Sequence, residues 1–210
     1  MKAYARAHSD WLLVDQDECW FSRFSQPNLH AWAALGEALH LIQRTPAKDE
    51  PDKALACYGA RRQDTGDVLL YLCDGQPKSE YTWLMIGRLL DLARQEEKRV
   101  LVLIWDHASW HKSRRLKQWI RTYNQRAKRE GDVRLLTFLL PKKSPWLNPI
   151  EPCWIHAKRK VCEPAGELSA DELRRRLCAH FHTDAQTAAL GYQASICTSR
   201  SSVIILPSPT

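Results

Sequence analysis

No Cys-x-x-Cys pair occurs in this 210-residue chain, although seven cysteines are present: Cys19, Cys57, Cys73, Cys153, Cys162, Cys178 and Cys197. An odd number without paired spacing, with no signal peptide ahead of it, points to reduced thiols in a cytosolic protein rather than a secreted disulfide framework. Cys178, His180 and His182 lack a second ligand pair at zinc spacing and read as structural. Long hydrophobic runs are also missing. The longest, Val100 to Trp105 and Val203 to Leu206, fall far short of the ~20 residues of a membrane span. There is no internal repeat, and with 44% hydrophobic residues the composition is not that of a disordered chain. One compact domain of ~100 to 200 residues is expected.

Acidic residues are scarce in one stretch. Residues 98 to 164 hold sixteen Lys and Arg against five Asp and Glu, whereas the whole chain carries a net charge of only +7. Cations concentrated on one segment suit a polyanion partner, because Lys and Arg release condensed counterions from the phosphates they neutralise.

The apolar run Trp11 to Val14 predicts a buried strand that stops at the polar cluster Asp15, Gln16, Asp17 and Glu18, with a second strand over Cys19 to Phe24. Pro27, Pro46 and Pro51 interrupt the region that follows, in which Ala54 to Ala60 has strand character. Val68 to Cys73 predicts another strand, closed by the Asp74-Gly75 turn. A helix is expected from Ser79 to about Glu97, on the spacing of Trp83, Ile86, Leu90 and Ala93. Val100 to Trp105 is an apolar run of the kind buried on both faces, and it ends at Asp106. Leu116, Trp119, Ile120, Tyr123 and Ala127 stripe a helix from Ser113 to Glu130, stopped by Gly131. Val133 to Leu140 predicts the next strand.

Beyond the loop Pro141 to Asn148, Pro149 and Pro152 are tolerable only around a helix start, which puts Glu151 at a helix N-terminus. Asn148 fits a turn and cap there. Ser169 and Glu172 form a capping box, with Leu168 and Leu173 as its staple and Leu173, Leu177 and Phe181 as the buried face. From Thr183 onward the sequence becomes rich in Ser, Thr and Ala, and residues 184–210 read as a tail to a domain of residues 1–183. This element order predicts an α/β protein, a mixed sheet with helices on its faces and a site at the strand ends.

Carboxylates at strand ends (Asp17 or Asp15, and Asp106) and at a helix start (Glu151) can converge on one edge of such a sheet. Hard oxygen ligands of this kind suit Mg²⁺ or Mn²⁺. Two such ions about 4 Å apart activate a water or 3′-hydroxyl and stabilise the leaving oxygen of an in-line displacement at phosphorus. Asp15 and Asp17 share a strand face, so periodicity does not choose between them.

The surrounding strings are more specific than the spacing. They read Leu-Leu-Val-Asp-Gln-Asp-Glu-Cys-Trp-Phe around Asp17, Val-Leu-Ile-Trp-Asp-His-Ala-Ser-Trp-His-Lys-Ser around Asp106, and Lys-Ser-Pro-Trp-Leu-Asn-Pro-Ile-Glu-Pro-Cys-Trp around Glu151. Over roughly residues 10 to 182 the chain resembles the mariner-like insertion-sequence transposases of the DDE superfamily. The resemblance implies a ribonuclease H-like fold and metal-dependent DNA cleavage and strand transfer. Asp17 (the Asp of the family's Asp-Glu pair), Asp106 and Glu151 are then both the catalytic residues and the ligands of two Mg²⁺ or Mn²⁺ ions. It also implies transposon-end and target DNA as partners, a homodimer on that DNA, no membrane, and a cytoplasmic protein that joins the nucleoid when bound.

The sequence departs from the family in having His107 where relatives often carry Asn, and in the 44 residues between Asp106 and Glu151. Relatives also usually carry helix-turn-helix modules ahead of the first catalytic strand. Their absence here suggests a partial enzyme, and a second expectation, a DNA-binding remnant without activity. Nucleic-acid contacts are expected from His111, Lys142, Lys143, Trp146, Lys158, Arg159 and Lys160, by phosphate pairing and, for Trp146, base stacking.

Overall fold

A computed structural model describes residues 8–23, 35–36, 54–73, 79–108, 110–142, 144–161 and 168–189. The Asp74-Gly75 turn, the three early prolines, Phe24, Lys143 and residues 190–210 lie outside that set. Five strands form one sheet: β1 (Trp11–Ser22), β2 (Ala54–Arg62), β3 (Val68–Cys73), β4 (Val100–Trp105) and β5 (Arg134–Leu139). Their order is β3-β2-β1-β4-β5. β1, β2 and β3 run antiparallel in succession, while β4 and β5 lie parallel to β1 on its other side. The helices are α1 (Ser79–Gln95), α2 (Arg114–Glu130), α3 (Glu151–Val161), α4 (Ala170–His180) and the short α5 (Ala185–Ala188). The expected mixed sheet flanked by helices is thus present. None of the described helices is long and apolar enough to cross a membrane.

Alternation along the strands divides the core in two. Leu12 and Val14 of β1, Tyr58 of β2 and Leu101, Leu103 and Trp105 of β4 face α1 and α2, meeting Met85, Ile86, Leu89, Leu116 and Tyr123. On the other face Cys19, Phe21, Cys57, Leu70 and Leu72 meet Ile150, Trp154 and Ala157 of α3 and Leu173 and Leu177 of α4. A smaller cluster of Leu13, Val102, Ile104 and Leu140 continues that face. The five described cysteines are all free thiols.

One sequence expectation is corrected here. The polar cluster at 15–18 does not end a strand. β1 is a single strand of twelve residues, because β2 offers an unbroken antiparallel ladder opposite Val14 to Ser22. The polar side chains find partners within the fold, so the backbone has no reason to leave the sheet. Past residue 183 the described chain also continues in order: Asp184 caps α5, Ala188 is buried, and Ala189 bridges to Leu72 of β3.

Helix ends follow the sequence signals. The Ser113 side chain accepts from the Leu116 N–H, and Gly131 ends α2 at φ 70°. Arg94 then grips Asp132 through two bonds of 2.7 Å, tying α1 to that turn. Ser169 accepts from the Glu172 N–H at 3.1 Å, while the Glu172 carboxylate turns to Arg175 and Arg176. A Cβ at Gly131 meets no atom within 4 Å, so Gly131→Ala isolates the cost of the left-handed backbone. We expect a loss of about 1 kcal/mol in urea denaturation; unchanged stability would contradict that geometry.

Candidate active site

β1 and β4 are adjacent parallel strands with Asp15 beside Ile104. Two residues further along the same register, Asp17 comes beside Asp106 at the carboxyl ends of the paired segment. The two aspartates share the sheet face that α3 covers. Ile150 is fully buried in that core, so the helix that follows presents its first residue, Glu151, to the same edge. A cleft of about 370 Å³ opens there, lined by Asp17, Asp106, His107, Ala108, Leu140, Pro141, Ser144, Asn148 and Glu151.

Geometry separates the two candidates on β1. Asp15 is fully buried, receives a 2.6 Å bond from Gln63 Nε2, and is not among the cleft-lining residues. Asp17 lines the cleft and accepts a 3.0 Å bond from the Trp154 indole N–H. Burial, then the nearby charges of Glu151 and Glu18, push its carboxyl up to about 7. Glu151 is also raised, by burial first and by Asp106, with Lys158 opposing. A helix N-terminus ordinarily favours an anion, so at Glu151 desolvation outweighs the dipole.

Asp106 behaves in the opposite way. A bond from His111, aided by the Ala108 N–H at 2.8 Å, holds its carboxyl below the usual range. His111 Nδ1 lies 3.0 Å from Asp106 Oδ1 and Nε2 3.2 Å from Glu18 Oε1. Its ring stacks on Trp105 with centroids 4.5 Å apart. Burial opposes the charged form, but the two carboxylates raise the imidazole to about 9. Donor atoms of Glu18, Asp106 and His111 lie within 4.8 Å of one another, close enough to share one metal ion. His111, expected to contact nucleic acid, is 3% exposed, and its two ring nitrogens face Asp106 and Glu18 inside the protein.

The remaining expected DNA contacts are scattered around the cleft. Lys142 is exposed, and Trp146 is 75% exposed, in the loop between β5 and α3. Lys158 is near enough to Cys19 and Glu151 to perturb both. Arg159 and Lys160 are exposed one and two residues further on. Asn148 is buried: its Nδ2 donates to the Gln16 carbonyl, and its own carbonyl accepts the Glu151 N–H. His107 Nε2 donates to the Leu140 carbonyl at 2.7 Å, closing the far wall. Sequence reasoning did not single out Trp154, Gly59 or Gln63 for the site. Trp154 stands three residues after Glu151 and could have been suspected from that spacing; the other two have only long-range significance.

The family model described as DDE superfamily endonuclease matches residues 13–174. Among solved structures, the Mos1 transposase paired-end complex with left transposon end aligns at TM-score 0.58 and 16% identity, over 89% of this chain and 53% of that one. The Mos1 strand transfer complex aligns at 0.55 and 15%, over 89% and 52%, and a pre-cleavage Mos1 transpososome at 0.56 and 15%, over 89% and 53%. The shared fold is ribonuclease H-like. The chain spans about half the length of these proteins. No curated protein matches it by sequence.

Asp17 gives a pH prediction for protein free of divalent ions. With its folded carboxyl at about 7 against an ordinary 3.8, the native state keeps a proton that the unfolded chain releases. The associated stability is fully present below 3.8 and is lost as pH rises from there to about 7. Asp17→Asn cannot ionise, so its melting temperature should gain on wild type across that window. A difference independent of pH would rule out the raised carboxyl.

Proposed function

The chain belongs to the DDE superfamily endonucleases, and from that premise we propose that its cleft is the metal-dependent DNA-cleaving and strand-transferring site of a transposase. The observation that carries this reading is the meeting of Asp17 of β1, Asp106 just past β4 and Glu151 of α3 along one cleft. No Lys or Arg is among the described residues lining it. Three oxygen-donor anions, two of them made hard to ionise by burial and mutual repulsion, suit a hard divalent cation. Asn148 Oδ1, buried in the same wall without a hydrogen-bond partner in the structure, offers a further acceptor to a hydrated ion or a substrate hydroxyl.

Asp17, Asp106 and Glu151 would hold a pair of Mg²⁺ or Mn²⁺ ions. Such ions supply Lewis acidity at the phosphoryl oxygens and make a water or 3′-hydroxyl a better nucleophile. The protein's contribution is placement. Asp106 is oriented by His111 and the Ala108 N–H, and Asp17 comes from a strand paired on both sides. Glu151 is set by the bond of its N–H to Asn148 and by the buried Ile150 beside it. Lys142, Lys143, Lys158, Arg159 and Lys160 would pair with phosphates, and the exposed Trp146 would stack on an unpaired base. Transposon-end and target DNA are the substrates in this reading. Two copies acting together on DNA, in the cytoplasm and at the nucleoid, complete this reading; the Mos1 paired-end complexes among the similar structures support its DNA partner.

Asp106→Ala and Glu151→Ala should each reduce Mg²⁺-dependent nicking of supercoiled DNA by at least roughly 100-fold, the upper end of what losing a supporting group alone costs. Circular dichroism should show both variants folded. Wild-type nicking in either folded variant, or no nicking by the wild type with either ion, would contradict the reading.

A further inference from the structure

We propose that Trp154 is a positioning residue for Asp17, and that Gly59 is glycine because the indole needs the space; the proposal rests on the metal-binding reading of the cleft. Trp154 is 3% exposed. Its Nε1–H donates to Asp17 Oδ2 at 3.0 Å. Phe21 meets the ring edge-on at 6.2 Å and 72°, and Phe181 at 5.6 Å and 74°, so the donor cannot swing away. In the β1–β2 register Gly59 lies directly opposite Asp17. A Cβ there would stand 2.4 Å from Trp154 Cζ2 and 2.7 Å from Ile150 Cδ1. The sheet therefore leaves a gap at the one place where α3 must approach for its indole to reach the aspartate.

The consequence is a division of labour within Asp17. A buried carboxylate free to rotate about its last torsion would present either oxygen, or both, to the cleft. Fixing Oδ2 with a neutral donor leaves Oδ1 for a cation and selects one rotamer. Asp106 is treated the same way from the opposite sheet face, where His111 takes Oδ1. Because Glu151 and Trp154 occupy successive turns of one helix, α3 sets two of the three carboxylates at once: one as its own side chain, the other through the indole. Phenylalanine keeps an aromatic ring between Phe21 and Phe181 but lacks the N–H.

Trp154→Phe is therefore the informative variant, measured against wild type with Mn²⁺ alone by titration calorimetry and with thermal melting as the fold control. The expected result is a melting temperature within a few degrees of wild type and Mn²⁺ affinity weaker by about 10- to 100-fold. Equal affinity in a folded Trp154→Phe overturns the proposal while leaving the metal site intact. Failure of the wild type to bind Mn²⁺ overturns the metal-site reading and the proposal with it. A second measurement needs no substitution at Trp154. In the amide and indole ¹H–¹⁵N spectrum, Mg²⁺ should move the Trp154 indole resonance in wild type and not in Asp17→Asn. An indole signal indifferent to Mg²⁺ in the wild type counts against the coupling, even if Trp154→Phe proves too unstable to study.

Discussion

A carboxylate in the middle of a strand that is hydrogen-bonded on both edges is the constraint around which this molecule is arranged. Asp17 belongs to β1, between β2 and β4, and ionising it there is opposed by burial and by neighbouring anions. An uncompensated buried charge costs far more than a lost hydrogen bond. The surroundings answer with a specific donor, the Trp154 indole, and with a cleft on the side that Asp106 and Glu151 share. The same constraint explains why the neighbouring polar residues of β1 each have a side-chain partner: Asp15 in Gln63, Gln16 Nε2 in Glu18, and Glu18 in His111. The strand carries a polar centre because the two layers on its faces each contribute partners to it.

The sheet's mixed direction is what makes the cleft possible. Parallel pairing of β1 with β4 brings the end of β4 beside the middle of β1, and the loop after β5 returns α3 to that edge with Glu151 as its first residue. Antiparallel β2 does a different task, supporting β1 past the point where β4 ends, so that Asp17 is held by backbone and not left on a loop. Rigid elements fix such groups better than loops do. No Lys or Arg is among the described residues lining the cleft, while Lys142, Arg159 and Lys160 are exposed. In the proposed reading the carboxylates take a small cation and the lysines and arginines the polyanion.

Much of this was legible from the residues. The apolar run ending at Asp106, the two prolines bracketing Glu151 and the Ser113 and Gly131 caps each carry a local physical signal, and the elements they announce lie where expected. β1 was misjudged because polarity was equated with exposure; Asp15, Gln16 and Asp17 are buried, and the partners that make this tolerable lie between 48 and 137 residues away in sequence. Asp15 and Asp17 were inseparable by periodicity for the same reason, since their difference lies in what each meets across space. His111 had the right spacing from Asp106 for a functional histidine, yet its place between two carboxylates depends on Glu18, 93 residues earlier. Gly59 carries no local signal at all. Its role exists only when β2 and α3 come together.

The central claim is that Asp17, Asp106 and Glu151 together hold the catalytic cation. Crystals soaked in Mn²⁺ test it directly through anomalous scattering. The account predicts density within ligand distance of the carboxylates of all three residues, on the cleft side of the sheet. Density instead among Glu18, Asp106 and His111 on the opposite face, or no density at the cleft in crystals that take up the ion elsewhere, would contradict it.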